Sequence, residues 1–142
     1  MPKTEFRAMT GIDMETLLAE SVYAEQKNNP LFEYTESFVY EHDGVLLGGG
    51  GFVMITETTA WAWAMVTSAV KSNIITAFRV LREYLEQWCT DHGIIRLQAY
   101  VREDFPEGQR LVTHLGFQSE GEPMNDFCGK GVAAQLYVRF FN

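Results

Sequence analysis

The sequence predicts an α/β fold of the α+β type, a mixed β-sheet with one central parallel strand pair, flanked by helices. An apolar strand at Ala60–Val66, a long amphipathic helix at Asn73–Cys89 and a second strand at Ile94–Val101 follow one another. A strand, a crossover helix and a strand in this order imply a parallel pair with a right-handed connection. The His-Asp-Gly turn at residues 42–44 predicts an antiparallel hairpin before them. At 142 residues, we expect one domain, covering residues 1–142.

Local patterns predict the remaining elements. Apolar residues recur at helical spacing in the N-terminal part of the chain, and an Asn-Asn-Pro segment at 28–30 ends that helix, because the residue before proline avoids the helical region. We therefore predict strands at Phe6–Met9, Phe38–Glu41 and Val45–Ile55, a first helix at Gly11–Asn28, and two strands within Gln118–Asn142 around Gly129–Gly131.

The long helix has the clearest signals. One face carries apolar residues at steps of three or four, and ion pairs such as Arg82 with Glu86 lie on the other face. Ser72 or Asn73 is a candidate N-cap, and Gly93 is a candidate C-cap glycine. The predicted apolar face consists of Ile74, Phe78, Leu81, Leu85 and Trp88.

Some chemically suggestive residues have simpler structural interpretations. Gly48–Gly51 looks like a phosphate-binding loop, but a strand follows it instead of a helix, so close backbone packing is favoured. Trp61 and Trp63 share one strand face and could line an acceptor site, although core packing is more common for such pairs. His114 could act as an acid or base, but an ordinary surface histidine is favoured.

Composition excludes several functional classes. The net charge is −8 with no run of lysine or arginine, which disfavours nucleic-acid binding and suits a cationic amine substrate or a basic protein partner. No segment approaches the ~20 apolar residues that span a membrane, and the N-terminus has no signal sequence, so we expect a cytoplasmic protein. Cys89 and Cys128 are expected to be free thiols, and no spacing predicts a metal site.

The strand, helix, strand and helix between Ala60 and Phe117, closed by Leu115-Gly116-Phe117, resemble the core of the GNAT N-acetyltransferase superfamily. The resemblance implies acetyl-CoA as cofactor, with its pyrophosphate at the N-terminus of the long helix, where free amides and the helix dipole attract anions. Lys71 lies in register with the basic residue that begins the family's glycine motif. The resemblance assigns cofactor binding to Met65, Val66, Thr67, Lys71, Ser72, Asn73, Ile74 and Ile75.

The chain departs from the family pattern at positions that normally do chemistry. Ile74 and Thr76 stand where the motif has glycine and a second small residue, which weakens the predicted cofactor site. Phe105 takes the place of the family's asparagine. Val112 takes the place of the tyrosine that often protonates the CoA thiolate, and valine cannot donate a proton.

The resemblance supports two hypotheses. The first is an acyl-CoA-dependent N-acyltransferase, in which a backbone N–H near Met65–Thr67 stabilises the oxyanion and Glu33 or Glu36 deprotonates a small-molecule or protein amine through water. An irregular Tyr23–Glu36 segment would border the acceptor. The second follows from a narrower resemblance to small GNAT-like proteins of tailed bacteriophages, and it is a non-catalytic accessory protein that acts through protein contacts in virion assembly or host takeover, in the host cytoplasm.

Overall fold

The computed structural model describes residues 4–8, 15, 36–67 and 74–141. Its strands hydrogen-bond in the order β1-β2-β3-β4-β5-β7-β6, so the mixed sheet predicted from the sequence is confirmed. The elements in chain order are β1 Thr4–Ala8, β2 Glu36–His42, β3 Val45–Met54, β4 Thr59–Val66, α1 Ile74–His92, β5 Arg96–Arg102, α2 Pro106–His114, β6 Gln118–Ser119 and β7 Ala134–Phe140.

The chain groups into two units, and β4 and α1 each run from one unit into the other. The first unit comprises Met1–Val53 and Trp63–Leu81, and the second comprises Met54–Ala62 and Arg82–Asn142. The organisation of residues 1–142 as one domain stays a prediction.

The first unit contains an antiparallel meander of β1, β2 and β3. Asp43 and Gly44 have φ angles of 51° and 79°, which is the left-handed pair that a tight hairpin turn requires, and the predicted turn is therefore confirmed. The core of this unit includes Val39 and Leu47, both fully buried. Burial raises the pKa of Tyr40 well above its ordinary value, so its phenol stays protonated.

The glycine run lies inside β3, where all four residues, Gly48–Gly51, are buried. A Cβ atom on Gly50 would lie 2.5 Å from the carbonyl oxygen of Trp63 and 3.3 Å from Cζ of Phe38. The glycine run therefore permits β4 and the ring of Phe38 to approach β3 closely. This confirms that the run serves packing and not phosphate binding.

Helix α1 is longer than the sequence predicted, because a ring contact and a glycine cap stabilise its C-terminal end. It ends at His92 instead of Cys89, and the ring of His92 stacks on Trp88 with centroids 4.2 Å apart. Gly93 follows with φ of 67° and lets the N–H of Ile94 reach the carbonyl of Cys89 at 2.9 Å, as in a helix C-cap. The buried face comprises Ala77, Leu81, Leu85, Trp88 and Cys89.

The second unit is built on β5, which pairs in parallel with β4 and in antiparallel with β7. The predicted parallel pair is therefore confirmed. Strand β5 begins at Arg96, two residues later than predicted, because the N–H of Ile94 belongs to the cap of α1. Leu97, Ala99 and Val101 are buried on one face of β5, and the alternate residues are half-buried on the other.

Several predicted segments lie wholly or largely outside the described residues. The first helix lies outside except for Glu15, which is helical, and the Tyr23–Glu36 segment lies outside except for Glu36, which begins β2. Cys89 and Cys128 are both free thiols. Within the described ranges, no helix is long and apolar enough to cross a membrane, and no cluster of His, Cys, Asp and Glu could hold a metal ion.

Candidate functional site

The end of β4 is fixed by Thr67, whose side chain is buried with 2% of its surface exposed. Its N–H donates to the carbonyl of Leu47 at 2.9 Å, and its Oγ1 donates to the carbonyls of Leu46 and Leu47 at 2.8 and 3.2 Å. Both donors of Thr67 are therefore committed to β3, and the residue anchors the strand end instead of offering a donor to a ligand.

The backbone directions along β4 follow from these contacts. Each residue of a strand directs both its N–H and its C=O to one edge, and the next residue directs both groups to the other edge. The carbonyl of Thr58 accepts from the N–H groups of Ile95 and Arg96 at 2.8 and 3.1 Å, whereas Thr67 directs its N–H to β3. Because Thr67 directs its N–H to β3, the alternation gives Val66, the residue before it, an N–H that points to the opposite edge of the strand.

The parallel register between β4 and β5 is short. Among the residues that the structure describes, it joins Thr59, Ala60 and Trp61 to Arg96, Leu97 and Gln98. Strand β4 continues to Val66 beyond the last of these pairs.

Of the sequence-predicted site residues, the structure brings Met65, Val66 and Thr67 together at the end of β4, and Ile74 begins α1. Ile75 is 73% exposed, so its side chain does not pack into the core. Glu36 is the first residue of β2, opposite Phe52. Glu33, Lys71, Ser72 and Asn73 lie outside the described residues.

The first turn of α1 suits an anion. It contains no acidic residue, and the first backbone N–H groups of any helix have no partner within the helix. The helix dipole adds positive potential at the same end. A phosphate group would therefore meet donors without a nearby carboxylate on that turn.

The second unit carries an aromatic series of which the sequence analysis identified only Trp61. The rings of Trp61 and Tyr100 meet edge to face with centroids 6.1 Å apart, and Tyr100 meets Phe127 in the same way at 4.6 Å. Trp61 and Trp63 are half-buried, so neither belongs fully to the core. The signal for Phe127 was its position as a large apolar residue among the turn-forming residues of the β6–β7 loop.

Two carboxylates of the second unit, those of Asp104 and Glu120, are held by arginines in bidentate pairs. Asp104 accepts two hydrogen bonds from Arg102 at 2.8 and 2.9 Å, and these bonds hold its pKa below the ordinary value. Glu120 is paired with Arg96 in the same bidentate way, and its pKa is also lowered. A carboxylate whose charged form is stabilised in this way is a weak base, so neither is suited to deprotonating an amine.

No protein-family model and no curated protein sequence matches this chain. Solved structures do match it over nearly its whole length. A proposed phosphinothricin N-acetyltransferase has 18% identity, 99% of each chain covered and a TM-score of 0.76. A spermidine N-acetyltransferase, a SpeG chimera from Vibrio cholerae and hSSAT, has 15% identity, 96% of this chain and 95% of that chain covered, and a TM-score of 0.76.

A third structure was determined with its cofactor acetyl-CoA. It is yncA, a proposed acetyltransferase of Salmonella typhimurium, with 17% identity, 98% of this chain and 94% of that chain covered, and a TM-score of 0.71. This chain has the GNAT fold. The GNAT resemblance predicted from residues 60–117 is thereby confirmed, and the bacteriophage resemblance stays a prediction.

The GNAT fold makes the departures on α2 easy to locate. Val112, at the family's tyrosine position, is buried, and His114 is exposed, so the two face different sides of the helix. Phe105 precedes α2 and packs on Gly108, where an added Cβ would come within 2.5 Å of its ring. At the start of α2, this chain therefore has an apolar packing contact where the family has a polar asparagine.

Proposed function

We propose that this chain is an acyl-CoA-dependent N-acyltransferase that transfers an acetyl group from acetyl-CoA to a primary amine. The observation that carries the proposal is the end of β4: Thr67 commits its N–H and its hydroxyl to β3, so strand alternation gives Val66 an N–H that points to the opposite edge. The similarity in fold to N-acetyltransferases supports the same reaction class.

The residues at the end of β4 and the start of α1 fit acetyl-CoA. Lys71, Ser72, Asn73, Ile74 and Ile75 would hold the pyrophosphate, because the first turn of α1 is free of acids and Ile75 projects into solvent. The edge of β4 at Met65 and Val66 would hold the thioester end. When bound, the cofactor supplies an acetyl group activated as a thioester.

The chain's own groups would then do the following. The N–H of Val66 would donate to the thioester oxygen as negative charge develops there, which is the role of an oxyanion hole. Glu33 or Glu36 would take a proton from the ammonium form of the acceptor through water, leaving a nucleophilic lone pair. The acceptor class is a small-molecule or protein amine, and we expect the protein to act in the cytoplasm.

Thermal melting with acetyl-CoA tests cofactor binding. A ligand at about 100 times its Kd stabilises the folded state by ~2.7 kcal/mol, so we expect Tm to rise by a few degrees. Lys71→Glu should abolish the rise, because it places a carboxylate beside the phosphates. Lys130→Glu is the matched control, since Lys130 is an exposed lysine in the β6–β7 loop, and it should keep the rise. A wild-type chain whose Tm does not move would overturn the assignment of the cofactor.

A second measurement separates an enzyme from a binding protein. We expect primary amines to accelerate the release of free CoA thiol. If Glu33 or Glu36 is the base, substitution of that residue by glutamine should slow the release at pH 7. That loss should shrink at higher pH, because the amine then deprotonates without help. Glu107→Gln, an exposed acid on α2, is the control and should leave the rate unchanged. Acetyl-CoA binding without amine-dependent release would instead favour the non-catalytic accessory protein.

A further inference from the structure

Phe127 and Tyr100 form an aromatic corner on the second unit. Their rings are inclined at 69° with centroids 4.6 Å apart, so the edge of one ring meets the face of the other. Phe127 is nevertheless 47% exposed. A phenyl ring held against a partner and left half open to solvent offers a π surface to a ligand.

The loop that carries Phe127 is tied down on both sides of the ring. Met124 and Ala134 exchange two backbone hydrogen bonds of 2.7 and 3.1 Å. The carboxylate of Asp126 accepts from the N–H of Gly131 at 2.7 Å, and the N–H of Cys128 donates to Val132 at 3.1 Å. The backbone that carries the ring is therefore held in place before a ligand arrives, which reduces the entropy lost on binding.

The surroundings of the corner are acidic. Asp126 precedes Phe127 directly, and Glu122 lies in the same loop; both are exposed. Glu103 is tied to the loop's end, because its N–H donates to the carbonyl of Ala133 at 2.9 Å. Lys130 is the cation of this loop, and the whole chain carries a net charge of −8. The loop and the whole chain thus carry more negative than positive charge, which favours cationic over anionic ligands near the corner.

We propose that the corner of Phe127 and Tyr100 binds an organic ammonium ion, whose positive charge lies against the aromatic faces. Ring quadrupoles attract cations, and alkylated ammonium ions also gain from apolar contact with the rings. Trp61 also contacts Tyr100, with ring centroids 6.1 Å apart and the rings inclined at 74°. The proposal goes beyond acyl transfer and does not depend on it.

Choline and its neutral isostere 3,3-dimethylbutan-1-ol test the role of charge, because they have nearly the same shape. Titrations followed by NMR of the full chain without acetyl-CoA should give a Kd for choline about two- to fivefold lower than for the alcohol, as expected for a partly exposed cation–π contact of about 0.5–1 kcal/mol. Equal binding of the two, or no binding of choline, would overturn the proposal. A failure of acetyl-CoA binding would leave this measurement unaffected.

Substitution of the ring distinguishes a ligand site from a loop anchor. Phe127→Leu keeps apolar packing on Tyr100 but removes the π face, so it should weaken choline about threefold and leave the alcohol unchanged. Phe140→Leu is the matched control, since Phe140 is 59% exposed on β7 with Arg96 over its ring at 5.6 Å. Should Phe127→Leu retain the wild-type preference for choline, or Phe140→Leu lose it, the corner is not the site.

Discussion

Gly50→Ala is expected to destabilise the protein by roughly 3 kcal/mol, the upper end of what overpacking costs. The added Cβ would lie 2.5 Å from the carbonyl oxygen of Trp63 and 3.5 Å from Cα of Ala64. Both are backbone atoms of β4, so no side chain can rotate away and the two strands themselves must separate. Urea denaturation of the variant and the wild type measures the difference.

Gly121→Ala is the comparison for this prediction. Gly121 has φ of 75°, and an added methyl group there would have nothing within 4 Å, so alanine meets a backbone penalty of about 1–2 kcal/mol without any clash. Comparison of the two variants separates the loss of stability caused by a steric clash from the loss caused by an unfavourable backbone conformation. If Gly50→Ala proved no more costly than Gly121→Ala, the close approach of β3 and β4 would be wrong.

Gly50→Ala also tests the proposed function. Gly50 lies opposite Trp63 and Ala64, a few residues before Val66, whose N–H is assigned to the thioester. A displaced β4 would move that donor, and preorganised donors lose much of their value when displaced. We therefore expect Gly50→Ala to reduce the acetyl-CoA-dependent rise in Tm as well as the stability, whereas Gly121→Ala should reduce only the stability.

Local signals account for the parts of the fold that the sequence predicted well. The turn at Asp43 and Gly44 depends on residues that tolerate positive φ, and that tendency can be seen in the sequence itself. The parallel pair follows from the order of strand, helix and strand, because chain connectivity permits few alternatives. By contrast, the extension of α1 to His92 depends on side-chain contacts near Gly93 that the apolar periodicity does not encode.

The candidate site was less predictable, because its decisive features depend on register. The sequence placed the oxyanion donor within Met65–Thr67, but only the pairing of Thr67 with Leu47 indicates that Val66 faces the other edge. The contact of Phe127 with Tyr100 joins residues far apart in sequence, and no periodicity relates a loop to a strand. Val112 is the opposite case: the lack of a proton donor there was evident from residue type alone.

Arg139→Met is expected to lower the free energy of unfolding by about 2 kcal/mol, within the range for hydrogen bonds to charged groups. Arg139 donates to the carbonyl of Leu115 and to Oε1 of Glu86, each at 2.8 Å, and lies 4.7 Å from the ring centroid of Phe141. Methionine keeps the apolar length but leaves the Leu115 carbonyl without this donor. Arg110→Met, at an exposed arginine on α2, should change stability by no more than about 0.5 kcal/mol.

The cost of Arg139→Met should also depend on pH, because Arg139 acts partly through Glu86. The hydrogen bond from Arg139 is the main cause that lowers the pKa of Glu86 below its ordinary value of 4.5. The unfolded chain therefore binds more protons than the folded one just below that pH, so this stabilisation is present above pH 4.5 and is lost as the pH falls through the folded-state pKa. We expect the difference between wild type and Arg139→Met to be constant from pH 6 to 8 and to narrow below 4.5, in urea melts at each pH. A difference that stayed the same through acidification would mean that Arg139 stabilises the fold through Leu115 and Phe141 alone, without Glu86.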